Sequence, residues 1–148
     1  IVAEVIAGVA PGGIGKQVEL VLTAGPDPVL ATDAGLLGIL LRNLIDNAVR
    51  YSPAHSTVQV SLLDDAGDGG GDGTVIVIED EGPGIPDASR QRVFDRFYRM
   101  TGTTESGAGL GLAIVARIAT LLGAVLSMEP GRSGCGLCVR IRFPAARP

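Results

Sequence analysis

The stretch Leu36 to Ser52, LLGILLRNLIDNAVRYS, constrains this chain more than any other. Leu37, Leu40, Leu41, Leu44, Ile45 and Ala48 recur at helical spacing and form one broad apolar face. Asp33 stands in front as an N-cap, and Ser52-Pro53 ends the pattern. A helix with such a face must bury it, so the rest of the chain has to supply a layer to receive it. The other face is unusual. Asn43, Asn47 and Arg50 follow i, i+4, i+7 spacing and make one polar stripe, with Tyr51 between stripe and core. A purely solvated face would more cheaply carry Glu and Lys pairs. Amide oxygens, a fixed cation and a flat ring suit a metal-nucleotide site. Taken alone, the stripe fits a solvated face and a ligand site equally well.

The remainder reads as strands and three further helices. Ile1 to Val9 is an amphipathic helix closed by Pro11-Gly12-Gly13. Val18 to Leu22 and Val29 to Ala31 read as two strands of an edge hairpin, with Pro26 and Pro28 framing its turn. Thr57 to Leu63 alternates as a strand. The loop from Asp64 to Gly73, DDAGDGGGDG, joins it to an apolar strand from Thr74 to Glu79. Aspartates recur in that loop, but EF-hand spacing is absent, and a hairpin loop is the expectation. Ala88 to Tyr98 reads as a short helix with Phe94 and Phe97 as anchors, and Met100 to Ala108 as a flexible flap. Leu110 to Leu126 is apolar but carries Arg117 and Thr120, so it reads as a buried helix and a strand rather than a membrane span. Strands near Ala124 to Met128 and Leu137 to Phe143 close the chain.

Composition excludes several classes. In 148 residues, 46% are apolar and 19% charged, which fits one folded domain over 1–148. Residues 1–10 are expected to end a preceding linker or helix, and a chain that opens on Ile1 is expected to be a piece of a longer protein. The net charge of −4, with no basic block, argues against nucleic acid or an anionic membrane as partner. Cys135 and Cys138 form a lone CxxC on an alternating strand, where residues three apart face opposite sides, so structural cysteines are expected. Gly12 to Lys16 superficially looks like a P-loop, but Ala10 takes the leading glycine's place and Gln17 the hydroxyl's.

Two glycine motifs carry chemistry. In Asp80-Glu81-Gly82-Pro83-Gly84-Ile85-Pro86, a carboxylate ends an apolar strand and two glycines follow. Glycine lets a flat ligand approach the main chain, and a buried Asp needs a donor such as a purine amino group. A plain turn accounts for the same residues equally well. In Gly107-Ala108-Gly109-Leu110-Gly111-Leu112, glycines open a strong helix. Exposed main-chain N–H groups and the helix dipole there favour an anion, although the spacing is not that of a dinucleotide fold.

The order of four motifs is more specific than any one of them. Asn43 to Tyr51 (NLIDNAVRY), Asp80 to Ile85 (DEGPGI), Val93 to Tyr98 (VFDRFY) and Gly107 to Leu112 (GAGLGL) resemble the N, G1, F and G2 boxes of sensor histidine kinases. The chain is similar over nearly its whole length to the ATP-binding catalytic domain of those bacterial two-component proteins, in the GHKL ATPase superfamily. The resemblance implies an α+β fold: a two-layer α/β sandwich of Bergerat type, with a mixed sheet of five or more strands backed by about three helices.

It also implies ATP and Mg²⁺ as cofactors, with Asn47 as the metal ligand and Asn43 supporting that site. Arg50, where the family often has Lys, would neutralise phosphate charge. Tyr51 would pack near adenine or ribose, and Asp80 would accept from the adenine amino group. Gly82, Gly84 and Ile85 would admit the ring, and Gly107, Gly109, Leu110, Gly111 and Leu112 would wrap the phosphates. The implied partners are the dimerisation and histidine phosphotransfer domain of the same kinase and a downstream response regulator. The implied place is a cytoplasmic domain of an inner-membrane sensor, without direct membrane contact. His55 lacks the family's acceptor context and is expected to be structural or solvent-facing. The alternatives are an anti-sigma-factor-type Ser/Thr kinase and a GHL-type ATPase, the latter using a Glu base where this chain has Asn43.

Overall fold

Alternation of apolar residues builds the sheet. The structure, a computed structural model, describes residues 3–8, 17–24, 30–65, 73–84, 111–131 and 136–143. Five strands form one sheet: β1 (Glu19–Ala24), β2 (Thr57–Asp65), β3 (Gly73–Glu79), β4 (Val125–Pro130) and β5 (Leu137–Phe143). Among the described residues three helices accompany them: α1 (residues 3–8), α2 (Ala34–Tyr51) and α3 (Gly111–Leu122). The strand order is β1-β2-β3-β5-β4, with β1 parallel to β2 and every other pairing antiparallel. The mixed sheet and its helices make the expected two-layer α+β sandwich.

Register puts apolar rows on one face. Leu22, Val60, Ile78, Val139 and Met128 are successive cross-strand partners, and so are Leu62, Ile76, Ile141 and Leu126. These residues belong to or pack on the core, except Leu22, which is exposed at the edge. The opposite face alternates to Gln59, Glu79, Arg140 and Arg142, as a half-covered sheet requires. Arg140 pairs with Glu129 at 3.0 Å, and Arg142 with Asp65.

The helices cover the apolar rows. In α2, Leu37, Leu40, Leu41, Leu44, Ile45, Ala48 and Val49 are buried. Asp33 caps it, its carboxylate accepting from Leu36 N–H at 2.9 Å. At the other end Ser52 leaves helical dihedrals before Pro53, as the proline ring demands. The Ser52 hydroxyl donates to Ala48 O at 2.6 Å. In α3, Val115, Ile118 and Ala119 face the core. The helix stops at Gly123 (φ 69°), where Gly123 N–H donates to Thr120 O and Ala124 N–H to Ala119 O, the paired bonds of a Schellman turn. The short α1 contributes buried Val5.

One expectation fails. Among the described residues no hairpin follows Val18–Leu22: Leu30 and Ala31 lie outside any strand, Val29 is not among the described residues, and β1 runs two residues further, to Ala24. Its partner is β2, in parallel from Glu19↔Thr57 to Ala24↔Leu62. Parallel neighbours need a crossover, and α2 is that crossover, which explains why it lies across the sheet. The few residues between Pro28 and the Asp33 cap are too short to build a ladder. The hairpin of β2 and β3 does form, and pairing extends to Asp65↔Gly73, inside the stretch read as loop. Residues 9–16, 66–72, 88–98 and 100–108, with their P-loop-like, loop-tip, short-helix and flap readings, lie outside the described residues. Cys138 is buried in β5, and Cys135 also lies outside.

Two substitutions test this packing by urea denaturation. Leu41→Ala, at a site with no solvent exposure, is expected to cost about 2–5 kcal/mol. Gly38→Ala, inside α2 where a Cβ meets nothing within 4 Å, is expected to stabilise by about 0.5–1 kcal/mol.

Candidate functional site

The polar stripe of α2 is held by the face behind it. Because Leu44, Ile45 and Ala48 are buried, Asn43 and Asn47 are confined to the rim of the core, where both are half-buried. Asn43 Nδ2 donates to Ile39 O at 2.8 Å, so its amide protons are partly satisfied within the helix while its oxygen receives no protein donor among the described residues. No described residue hydrogen-bonds to the Asn47 amide. Arg50 Nη2 donates to Asp46 Oδ2 at 3.0 Å, an i, i+4 pair at the helix surface. Tyr51 ends the helix and is half-buried.

Asp80 follows directly on the buried strand β3 and is itself buried. Its Oδ1 accepts twice, from Gly82 N–H at 2.9 Å and from Leu137 N–H at 3.2 Å. Its own N–H donates to Leu137 O at 3.0 Å. Oδ2 accepts from no described residue. Desolvation raises the Asp80 pKa, the two N–H donors lower it, and Glu79 beside it raises it; burial prevails and the net shift is upward. A buried carboxylate with one uncommitted oxygen is costly unless a ligand donates to it.

Three close approaches fix this carboxylate relative to α2. A Cβ on Gly82 would lie 2.7 Å from Tyr51 O, so the loop after β3 packs on the last turn of the helix. Gly136 has φ 85°, and a Cβ there would lie 1.9 Å from Asp80 O. Gly84 has φ 74°, and its Cβ would lie 2.7 Å from Gly136 O. In addition, Glu81 Oε2 accepts from Thr57 N–H at 2.8 Å, tying the loop to the start of β2. The structure therefore brings Tyr51, Asp80, Gly82 and Gly84 together at the C-terminal end of α2. Asn47 lies one helical turn before Tyr51, and Asn43 one turn earlier again.

Of the glycine-rich helix start, Gly111 is the first residue of α3, and Leu112 packs half-buried against the core. Ile85, Gly107, Gly109 and Leu110 lie outside the described residues. His55 is exposed, with φ 64°, in the turn after α2. Gly136, Leu137, Glu81 and Asp46 were not among the residues picked out from the sequence. Asp46 was legible through its i, i+4 spacing to Arg50. The other three act through contacts distant in the chain.

Among the described residues, no three His, Cys, Asp or Glu side chains come together as a metal cage. The Asn47 amide oxygen is a neutral hard donor, which suits Mg²⁺ where nucleotide phosphates and water supply the remaining ligands.

The chain matches the histidine kinase-, DNA gyrase B- and HSP90-like ATPase family over residues 32–147. It belongs to that family. Among relatives, it is 36% identical over 143 residues to the swarming motility regulation sensor protein RssA of Serratia marcescens, covering 97% of this chain and 30% of that protein. It is 48% identical over 101 residues to the sensor protein QseC of Escherichia coli K12, covering 68% of this chain and 20% of that protein. It thus spans less than a third of the length of either. In structure it is similar to the mycobacterial sensor histidine kinase MprB, with a TM-score of 0.77 and 32% identity over 99% of this chain and 95% of that one. Full-length ShkA in complex with AMPPNP gives a TM-score of 0.80 at 27% identity, over 99% of this chain and 30% of that one. The domain is thus of the sensor-histidine-kinase ATPase kind, and the fold and family that the four motifs implied are those observed.

The turn before β5 offers a test. Gly136→Ala combines a left-handed dihedral with a main-chain clash, and is expected to cost at least about 3 kcal/mol in urea denaturation. A cost below about 1 kcal/mol would mean that the turn does not press on Asp80.

Proposed function

We propose that this domain binds Mg-ATP and donates its γ-phosphate to a histidine on the dimerisation domain of the same sensor kinase. The observation that carries the reading is Asp80: a buried carboxylate, half-committed to main-chain donors, beside the helix that bears two amides and a guanidinium. Oδ2 of Asp80 is the acceptor for the adenine amino group. Gly82 and Gly84 keep side chains away from the ring, Ile85 is assigned to the ring by its motif, and Tyr51 packs at the adenine or ribose edge. Asn47 holds Mg²⁺, Asn43 supports that site, and Arg50 offsets phosphate charge. Gly107, Gly109, Leu110, Gly111 and Leu112 are assigned to the phosphates by their motif, and the N–H groups and dipole at the Gly111 end of α3 favour anions.

Bound Mg-ATP supplies the transferable phosphoryl group and a divalent cation that neutralises its charge. The protein's part is positioning and electrostatics. Asn43 is an amide and cannot take a proton from water as a carboxylate would, so hydrolysis is poorly served and transfer to an outside acceptor is favoured. His55, exposed in a turn, has no neighbouring carboxylate of the acceptor motif and is not that acceptor. The sensor proteins to which the chain is similar are much longer than it, which leaves room for a partner domain in the same polypeptide, and we infer a response regulator beyond it. We place the domain on the cytoplasmic side of an inner-membrane sensor, in keeping with its similarity to the cytoplasmic segment of histidine kinase QseC. Among the described residues no helix is long and apolar enough to cross a membrane.

Three measurements test the reading. In calorimetry, Asp80→Asn is expected to weaken Mg-ATP binding about 10- to 100-fold, because the amide cannot replace a charged acceptor. Its Oδ1 still serves Gly82 and Leu137, so folding is retained. In the native domain, Asp80 must be ionised to accept, and its pKa is raised. ATP affinity is therefore expected to be full above that raised pKa and to fall as pH drops through it, at higher pH than for an ordinary carboxylate. Affinity that stays flat through mild acid would contradict the role. With labelled ATP and a dimerisation domain, acid-labile phosphohistidine is the expected product, whereas acid-stable phosphoserine would favour the Ser/Thr kinase alternative.

A further inference from the structure

Within the stripe assigned to the phosphates sits a residue of the wrong charge. Asp46 precedes Asn47 and lies four residues before Arg50, whose Nη2 donates to its Oδ2 at 3.0 Å. Both side chains remain partly in water, at 36% for Arg50 and 51% for Asp46. An exposed i, i+4 pair adds little to stability, so helix support is a weak account of why an acid stands here. Its chemistry toward Arg50 is more telling. A guanidinium offers planar N–H edges, and a carboxylate and a phosphate compete for the same edges.

We propose that Asp46 is an internal competitor of the nucleotide phosphates: it holds Arg50 in the nucleotide-free domain, and the phosphates must displace it. The inference rests on the assignment of the α2 stripe to the phosphate end of the site. Asp46 acts through Arg50 and is a positioning residue. It sets the affinity for the charged part of the nucleotide and leaves the purine contacts at Asp80 untouched. Its influence therefore scales with ligand charge, from adenosine with none to ATP with most. Because the pair is solvent-exposed, the influence also weakens as salt rises.

The test is calorimetric titration of the whole chain with adenosine and with Mg-ATP at low and high salt. Asp46→Asn is expected to tighten ATP about two- to fivefold at low salt, less at high salt, and to leave adenosine unchanged. Asp46→Glu, which keeps the charge, should bind ATP like the native chain. In an Arg50→Gln background the Asp46→Asn substitution should add nothing, since no guanidinium is left to release. The proposal is overturned if Asp46→Asn leaves ATP affinity unchanged or weaker, if adenosine tightens equally, or if the gain persists without Arg50. Native chain that binds neither adenosine nor ATP would remove the site reading as well. Native chain that loses ATP on Asp80→Asn, yet is indifferent to Asp46→Asn, would overturn this inference alone.

Discussion

A carboxylate kept out of water dictates the geometry around it. Asp80 is buried at the end of β3, and ionising it there is unfavourable unless donors are close. The protein provides two, both main-chain N–H groups, from Gly82 and Leu137. Main-chain donors cannot swing into place as side chains do. The backbone of two separate segments must therefore come within hydrogen-bond reach of one oxygen. That requirement explains the glycines better than ligand access alone. The space where a Gly82 side chain would stand is taken by Tyr51 O, and that of Gly136 by Asp80 O. The missing Cβ atoms let the chain pack on itself, and a ring that approaches the same loop meets backbone already fixed.

The second half of the site is fixed by different means. On α2 the amides need no main-chain scaffold of their own, because seven buried residues on the other face settle the helix's rotation about its axis. A small rotation would expose Leu40 and Leu41, which have no solvent exposure, and bury Asn47. The cost of that exchange orients the stripe. Asn43 spends its donor on Ile39 O, within its own helix, and keeps its acceptor available. The link between the halves is short. Gly82 meets Tyr51, and Glu81 accepts from Thr57 at the start of β2, so the loop after β3 is held to both ends of the turn that follows α2.

What could be read from the sequence was what local chemistry decides. Asp33 and Ser52-Pro53 marked both ends of α2, and alternation marked β2, β3 and β5 closely. Alternation says that a segment is a strand but not which strand it joins. The partner of β1 was misassigned for that reason: its parallel neighbour lies beyond an 18-residue helix. The same limit hid Gly136 and Leu137. Their importance comes from a contact with Asp80 that spans 57 positions, and GRSGCGL gives no local sign of it. Asp46 was hidden differently. Its i, i+4 relation to Arg50 is plain in the sequence, but an acid beside two amides and a guanidinium gives no local sign of acting on the charge a ligand meets.

The two ends of the site differ in hardness, and the difference suits group transfer. On the proposed assignment the purine is selected by Asp80, a buried carboxylate that non-local main-chain contacts hold rigidly and that salt affects little. On the same assignment the phosphates meet Arg50, a partly exposed side chain engaged with Asp46 and long enough to change partners. A site equally rigid at both ends would grip substrate and product alike, and tight uniform binding does not speed a transfer. Firm selection of the base, combined with a cation that can be shared, would let the charged end loosen once a phosphoryl group has left. The base then remains the constant of recognition, and the number of phosphates becomes the variable.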